Sequence, residues 1–295
     1  MYKLILPLVL IGLLESCAFD KQFLNPYKLT TEDSYSDYIK EIGDSITMTF
    51  NSEQTPVLKN SEGQNAALSY SIENITFKSQ SENNLNAWLM TPKENYNGIT
   101  IYFLHGNSGH MVYMFPLMTP FVNAGYQVFA IDYSGFGFSD GEAMRKNVLV
   151  DGNSGLDYLL SREDIKHDKL IIYGQSLGGH LACVVASENE DKIDGLVVEG
   201  AFSSHKDISS DIVPILARIF VREMYSAKKA IQKYKKPLLV IHSTEDTRVK
   251  YKHGKRIFNK ANEPKTFLTI DQKHIRGPLF YPQEIVSEMK KLLAD

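Results

Sequence analysis

Ser176, Asp246 and His274 are the residues of this chain whose types and order could do chemistry together. Ser176 lies in Gly174-Gln175-Ser176-Leu177-Gly178-Gly179, directly after the apolar run Leu170-Ile171-Ile172-Tyr173. That is the G-x-S-x-G pattern in which a strand ends, turns sharply and enters a helix while lifting one hydroxyl clear of the backbone. Small residues at 174 and 178 leave room for the strained turn. Taken alone, the pattern also fits a Gly-rich loop with a capping serine.

A serine nucleophile needs a base and an orienting acid, and in a strand-turn-helix setting they follow it in the order serine, acid, histidine. Pro237-Leu238-Leu239-Val240-Ile241-His242 reads as a strand that runs into the polar turn Ser243-Thr244-Glu245-Asp246-Thr247. Asp246 is the candidate acid; Glu245 is its immediate rival, and an Asx-turn is its alternative role. Thr266-Phe267-Leu268-Thr269-Ile270 is followed by Asp271-Gln272-Lys273-His274, which puts a histidine in the loop beyond the next strand. His274 is the candidate base, against the alternative of an exposed loop histidine. His205, His242 and His253 read as structural or solvated.

Acyl transfer also needs two backbone N–H groups aimed at the developing oxyanion. The residue after the nucleophile, Leu177, supplies one. The run Gly98-Ile99-Thr100-Ile101-Tyr102-Phe103-Leu104 leads into His105-Gly106-Asn107-Ser108-Gly109, where the Asn107 N–H can supply the other and His105 is expected to be structural. An ordinary strand-to-helix turn is the alternative. The chemistry needs no metal or organic cofactor. The carboxylates at 132, 140, 151, 157, 164 and 168 lack metal-ligand spacing and read as caps, turns and solvated faces.

From residue 99 onward, strands at 99–104, 127–131, 170–173, 195–198, 237–242 and 266–270 alternate with helices near 113–124, 143–160, 177–187, 250–261 and 282–293. This predicts an α/β fold with a mainly parallel sheet covered on both faces, which places the candidate residues at carboxyl ends of strands. Upstream, 43–50, 66–77 and 85–90 read as early strands, with 51–65 as a long hairpin loop or a small excursion and Trp88 as core. Residues 203–234 are expected to form a small lid, in which Ile212, Val213, Ile215, Leu216, Ile219, Phe220 and Met224 cover an apolar group or pack as a crossover helix. Met111, Tyr113, Met114 and Phe115 hint at an apolar pocket beside the Asn107 loop.

The segments at 105–109, Asp132-Tyr133-Ser134-Gly135-Phe136-Gly137-Phe138-Ser139-Asp140-Gly141, 174–179, Ile241-His242-Ser243-Thr244-Glu245-Asp246 and the final His274 come in the order found in serine hydrolases of the α/β-hydrolase superfamily. From about residue 68 onward the chain resembles that superfamily, and within it the BEM46-like, membrane-associated group. The resemblance implies an α/β-hydrolase fold with Ser176 as nucleophile, Asp246 as acid, His274 as base and Asn107 and Leu177 as oxyanion amides. Two positions depart from the pattern: Ser134 stands where a basic residue is usual, and Ser243 where a glycine is usual. The function implied is cleavage of a carboxylic ester, thioester or lipid through an acyl-enzyme. The alternatives are a catalytically silent binding protein and a serine peptidase or amidase.

Residues 1–17 read as a signal: Met1-Tyr2-Lys3 is basic, Leu4 to Leu14 is apolar but shorter than the roughly 20 residues that span a bilayer, and Ser16-Cys17 ends it. The segment resembles a bacterial lipoprotein signal in which Cys17 is lipidated, although Glu15 stands where a small or apolar residue is usual. The expected place is the cell envelope, on the outer membrane facing the periplasm, with soluble secretion as the alternative. Residues 18–44 read as a tether or N-terminal wrap, and 45–295 as the hydrolase domain. Lipidation of Cys17 would leave Cys183, expected to be buried, without an intramolecular partner. A net charge of -3 gives no field for nucleic acid.

Overall fold

In the computed structural model, which describes residues 20, 23–39, 42–165, 168–215 and 220–294, an eight-stranded sheet carries the site. A small antiparallel sheet precedes it, made of β1 (Tyr35–Ile39), β2 (Asp44–Phe50) and β3 (Pro56–Lys59). The main sheet comprises β4 (Tyr70–Lys78), β5 (Asn84–Pro92), β6 (Ile99–Leu104), β7 (Gln127–Ile131), β8 (Lys169–Gln175), β9 (Gly195–Glu199), β10 (Leu238–Ser243) and β11 (Lys265–Ile270). Its order is β11-β10-β9-β8-β6-β7-β5-β4, parallel from β11 to β7, with β5 antiparallel to both its neighbours.

The apolar strands are continuous rather than alternating because both faces are buried. Tyr102 and Leu104 of β6 point into one core, and Ile101 and Phe103 into the other. On the first face lie α2 (Arg145–Ser161), α3 (Leu177–Glu188), α5 (Ala227–Ala230) and α6 (Lys252–Lys260), through residues such as Leu156, Leu181, Ala227 and Ile257; α4 (His205–Ser210) belongs to the connection between β9 and β10. On the second lie α1 (Met111–Asn123) and α8 (Pro282–Leu293), through Met114, Phe115, Ile285 and Met289; α7 (Gly277–Phe280) directly precedes α8. The chain builds β6 and β7 in one direction and then returns to add β8 on the other side of β6. The switch point therefore falls between the strands that carry the Asn107 loop and Ser176, where open α/β sheets form their crevice.

Several expectations change. The 51–65 stretch is not all loop, since Pro56–Lys59 pairs with β2, and the following strand begins at Tyr70 rather than 66. Met111, Met114 and Phe115 belong to the core, at 1–3% exposure, and only Tyr113 of that group is exposed; the inward face of an amphipathic helix had read as a pocket wall. Ile212, Val213, Ile215, Phe220 and Met224 are exposed, Ile212 and Ile215 to 80% and 75%, so they do not pack as a buried crossover helix. Leu216 and Ile219 lie outside the described residues. Asp132 and Asp151 are buried rather than solvated: each takes a backbone N–H, from Met111 and Ser134 respectively.

Residues 23–29 lie against the body of the fold, with Leu24 and Leu29 buried, and Asp20 meets the buried Arg145 in an ion pair. Trp88 and Cys183 are fully buried. Residues 1–17, including Cys17, lie outside the described residues, among which no helix is long and apolar enough to cross a membrane.

Candidate active site

Ser176 is the hinge between β8 and α3. Its backbone has φ 55° and ψ −111°, a left-handed conformation for a non-glycine residue, which costs about 1–3 kcal/mol and persists only where neighbours over-determine it. They do so here: Ser176 N donates to Glu199 O at 2.9 Å, and His180 N donates to Ser176 O at 3.0 Å. The turn also requires glycine at 178, because a Cβ there would run into the Leu104 carbonyl of the neighbouring strand. A close backbone crossing is thus the physical content of the G-x-S-x-G pattern.

Asp246 sits in the turn after β10, and His274 in the segment after β11. His274 Nδ1 and Asp246 Oδ2 are 2.6 Å apart, a short, charge-assisted contact. The other carboxylate oxygen accepts Arg248 N at 2.9 Å and Val249 N at 2.8 Å, so the acid is held from both sides. Burial pushes the Asp246 carboxyl up, but the His274 bond and charge and the Val249 N–H outweigh it and hold the group below the ordinary aspartate range. Its rival Glu245 is exposed, one residue away on the solvent side of the turn. With Nδ1 engaged, His274 keeps Nε2 for a hydroxyl.

The three residues converge around two glycines. A Cβ built on Gly106 would lie 3.4 Å from Ser176 Cβ and 3.7 Å from Ile275 Cδ1, the residue after His274. One built on Gly200 would lie 3.1 Å from His274 Cε1. Among the described residues Ser176 Oγ makes no hydrogen bond.

Leu177, the first residue of α3, and Asn107, in the turn after β6, follow the ends of the paired strands β8 and β6, where Leu104 is in register with Gly174. Among the described residues their backbone N–H groups donate to no backbone carbonyl, as a helix start leaves its first N–H groups free. The Asn107 side chain ties the N-terminal segment down. Its Oδ1 accepts Asn25 N at 3.0 Å, and its Nδ2 donates to Phe23 O. Asn25 Nδ2 also donates to Ser108 Oγ at 3.3 Å, and the Phe23 ring packs edge-on against Phe202.

His105, His205, His242 and His253 are buried and held by partners of their own. His105 Nδ1 contacts Gly106 O at 2.7 Å, and burial pushes its pKa down to about 3. His242 Nε2 contacts Val249 O at 2.8 Å behind Asp246, with its pKa lowered by burial. His205 contacts Glu223 at 3.3 Å, and His253 contacts Ser203 and Asp211. Two contributors to the site carried no motif: Glu199, the strand-end carboxylate beside Ser176, and the Phe23–Asn25 strap. An acidic residue closing the otherwise apolar Gly195-Leu196-Val197-Val198 run was the available signal for the first.

Residues 98–228 match the family described as serine aminopeptidase, S33. The chain is 31% identical to the protein bem46 of Schizosaccharomyces pombe over 59% of its length and 60% of that protein's. It is 29% identical to the uncharacterized protein YfhR of Escherichia coli (strain K12), over 70% and 74% of the two chains. Among solved structures, the esterase Pf2001 of Pyrococcus furiosus superposes with a TM-score of 0.66 at 18% identity, covering 92% of this chain and 97% of that one. Est1E of Butyrivibrio proteoclasticus, solved with ferulic acid, superposes with a TM-score of 0.61 at 18% identity, covering 75% and 100%. The sheet order, the Ser176 elbow and these likenesses agree on an α/β-hydrolase arrangement of sheet and helices, and over part of its length the chain is similar to the bem46 and YfhR proteins.

Proposed function

We propose that the protein is a serine hydrolase that cleaves a carboxylic ester or thioester through an acyl-enzyme on Ser176. The observation that carries this reading is the 2.6 Å contact between His274 and a buried Asp246 at the strand ends beside a strained serine elbow. Asp246 holds the His274 ring with its proton on Nδ1. His274 Nε2 takes the Ser176 proton as Oγ attacks the carbonyl carbon, and the Asn107 and Leu177 amides receive the oxyanion. The imidazolium then protonates the leaving alcohol or thiol, and His274 activates water to release the acid and restore Ser176. One oxyanion donor of this kind contributes about 10²–10³ in kcat.

The exposed apolar side chains Ile212, Val213, Ile215, Phe220 and Met224, in the connection between β9 and β10, support an apolar acyl group over a charged one. Turnover of 4-nitrophenyl esters from two to twelve carbons should favour short to medium chains; equal turnover across the series would contradict that preference. The family description over residues 98–228 favours a second reading, an aminopeptidase. Aminoacyl 4-nitroanilides separate the two: hydrolysis of these in preference to the esters would replace the first reading with the second. We further propose that Cys17 is lipidated and anchors the enzyme in the cell envelope. Replacement by Cys17→Ser should release the protein from the membrane fraction, and an unchanged distribution would refute the anchor.

A further inference from the structure

Glu199 ends β9, is 1% exposed, and among the described residues has no basic side chain as a hydrogen-bond partner. Its Oε2 accepts Tyr173 OH at 2.8 Å and Gln175 Nε2 at 2.7 Å, both from the strand that leads into Ser176. Its Oε1 accepts Gly277 N at 2.7 Å, three residues beyond His274. Its own carbonyl receives Ser176 N at 2.9 Å. A buried carboxylate bonded only to neutral donors is costly, and burial pushes this one above the ordinary glutamate range. A nearby hydrophobic residue would fill the space without that cost, so the carboxylate must supply something that volume does not.

The segment it reaches is one that needs holding. Ile275, between His274 and Gly277, has φ 51°, a strained conformation for a β-branched residue. Asp246 fixes one atom of the His274 ring and leaves the ring free to pivot about that contact. Gly200, the residue after Glu199, has φ 58° and leaves room for the ring; a Cβ there would stand 3.1 Å from Cε1 and 3.2 Å from Nδ1. The pair Glu199-Gly200 therefore touches the Ser176 backbone, the His274 ring and the segment that carries that ring.

Resting on the Ser176–His274–Asp246 reading above, we propose that Glu199 is a positioning residue: through the Gly277 N–H it holds the His274 segment against the nucleophile strand and sets the reach from His274 Nε2 to Ser176 Oγ. A displacement of about 1 Å at such a centre costs on the order of 100-fold in rate. The role requires an acceptor for Gly277 N and a hydrogen-bonding group toward the β8 side chains, rather than a charge. A glutamine at 199 can still accept Gly277 N through Oε1, while its NH2, in the place of Oε2, faces the Gln175 amide; turning that amide over brings Gln175 Oε1, buried without a partner among the described residues, round to accept it.

The test compares wild type, Glu199→Ala, Glu199→Gln and Glu199→Asp in 4-nitrophenyl ester hydrolysis, with thermal melts as the check on folding. Loss of about 100-fold in kcat for Glu199→Ala, with KM within twofold and with Glu199→Gln restored to within a few-fold of wild type, is expected. Glu199→Asp, one methylene too short to span both partners, should fall about tenfold in kcat, and it serves if the alanine variant does not fold. Wild-type kcat in folded Glu199→Ala or Glu199→Asp, a change confined to KM, or a glutamine as damaging as alanine would overturn the proposal. The ring 15N resonances of His274, assigned with His274→Ala, need no substrate. They should move in whichever of Glu199→Ala and Glu199→Asp folds and stay in Glu199→Gln; unmoved resonances in those folded variants would defeat the positioning role even if the wild type hydrolyses no ester, an outcome that would count against the catalytic reading separately.

Discussion

Replacing Asp246 by asparagine changes one atom and should reverse the proton on His274. The oxygen that accepts Arg248 N at 2.9 Å and Val249 N at 2.8 Å must remain an acceptor, since an NH2 there would face two N–H groups at about 1–3 kcal/mol each. The asparagine NH2 therefore takes the place of Oδ2, 2.6 Å from His274 Nδ1. A donor at that position forces Nδ1 to accept, which moves the ring proton to Nε2, the nitrogen that must receive the Ser176 proton. A histidine held in the wrong tautomer loses about 10⁴ in kcat, or about 5 kcal/mol of transition-state stabilisation. The assay is 4-nitrophenyl acetate hydrolysis by wild type, Asp246→Asn and Glu245→Gln, with melts to show that all are folded. Glu245→Gln, on the exposed side of the turn, should match wild type. An Asp246→Asn enzyme within tenfold of wild type, or a larger loss in Glu245→Gln, would refute the assignment of the acid.

Three further outcomes follow from the packing. Gly178→Ala puts a methyl into the Leu104 carbonyl and should destabilise the fold by about 1–3 kcal/mol, read as a lower urea midpoint; an unchanged midpoint would mean the elbow has slack. Burial holds the His180 pKa down to about 3, so as pH falls below the unfolded value of about 6.5 the unfolded chain takes up a proton the native one refuses. Relative to wild type, His180→Gln should therefore gain about 1 kcal/mol of stability per pH unit on going from pH 6.5 toward 4, measured by urea titration, and parallel pH profiles would contradict this. Cys183 is fully buried with its thiol pushed up to about 12, so in a Cys17→Ser background it should resist a thiol reagent at pH 8 until the protein is unfolded; rapid native-state modification would contradict the packing of α3.

The candidate-site segments and the strands behind them were legible because they are local. A buried parallel strand is a short apolar run, and an elbow is a glycine pattern at its end, as in β8 followed by Ser176. What was not legible depends on contacts between distant residues. The inward direction of Met114 and Phe115 is set by the second face of the sheet, which their own spacing does not encode. Asp132 and Asp151 look like surface carboxylates until Met111 N and Ser134 N are brought to them. Asp246 and Glu245 are adjacent and chemically equivalent in sequence; only the alternation of the turn puts one inside against His274 and the other in solvent. The Phe23–Asn25 strap meets Asn107 across more than eighty residues and has no pattern of its own.

The central claim is that Ser176 is an activated nucleophile, and reaction with a fluorophosphonate followed by intact mass and peptide mapping tests it most directly. The account predicts a single adduct on Ser176 that is lost in Ser176→Ala and slowed by orders of magnitude in His274→Ala. No adduct on the folded wild-type protein, or an adduct elsewhere that survives Ser176→Ala, would contradict it.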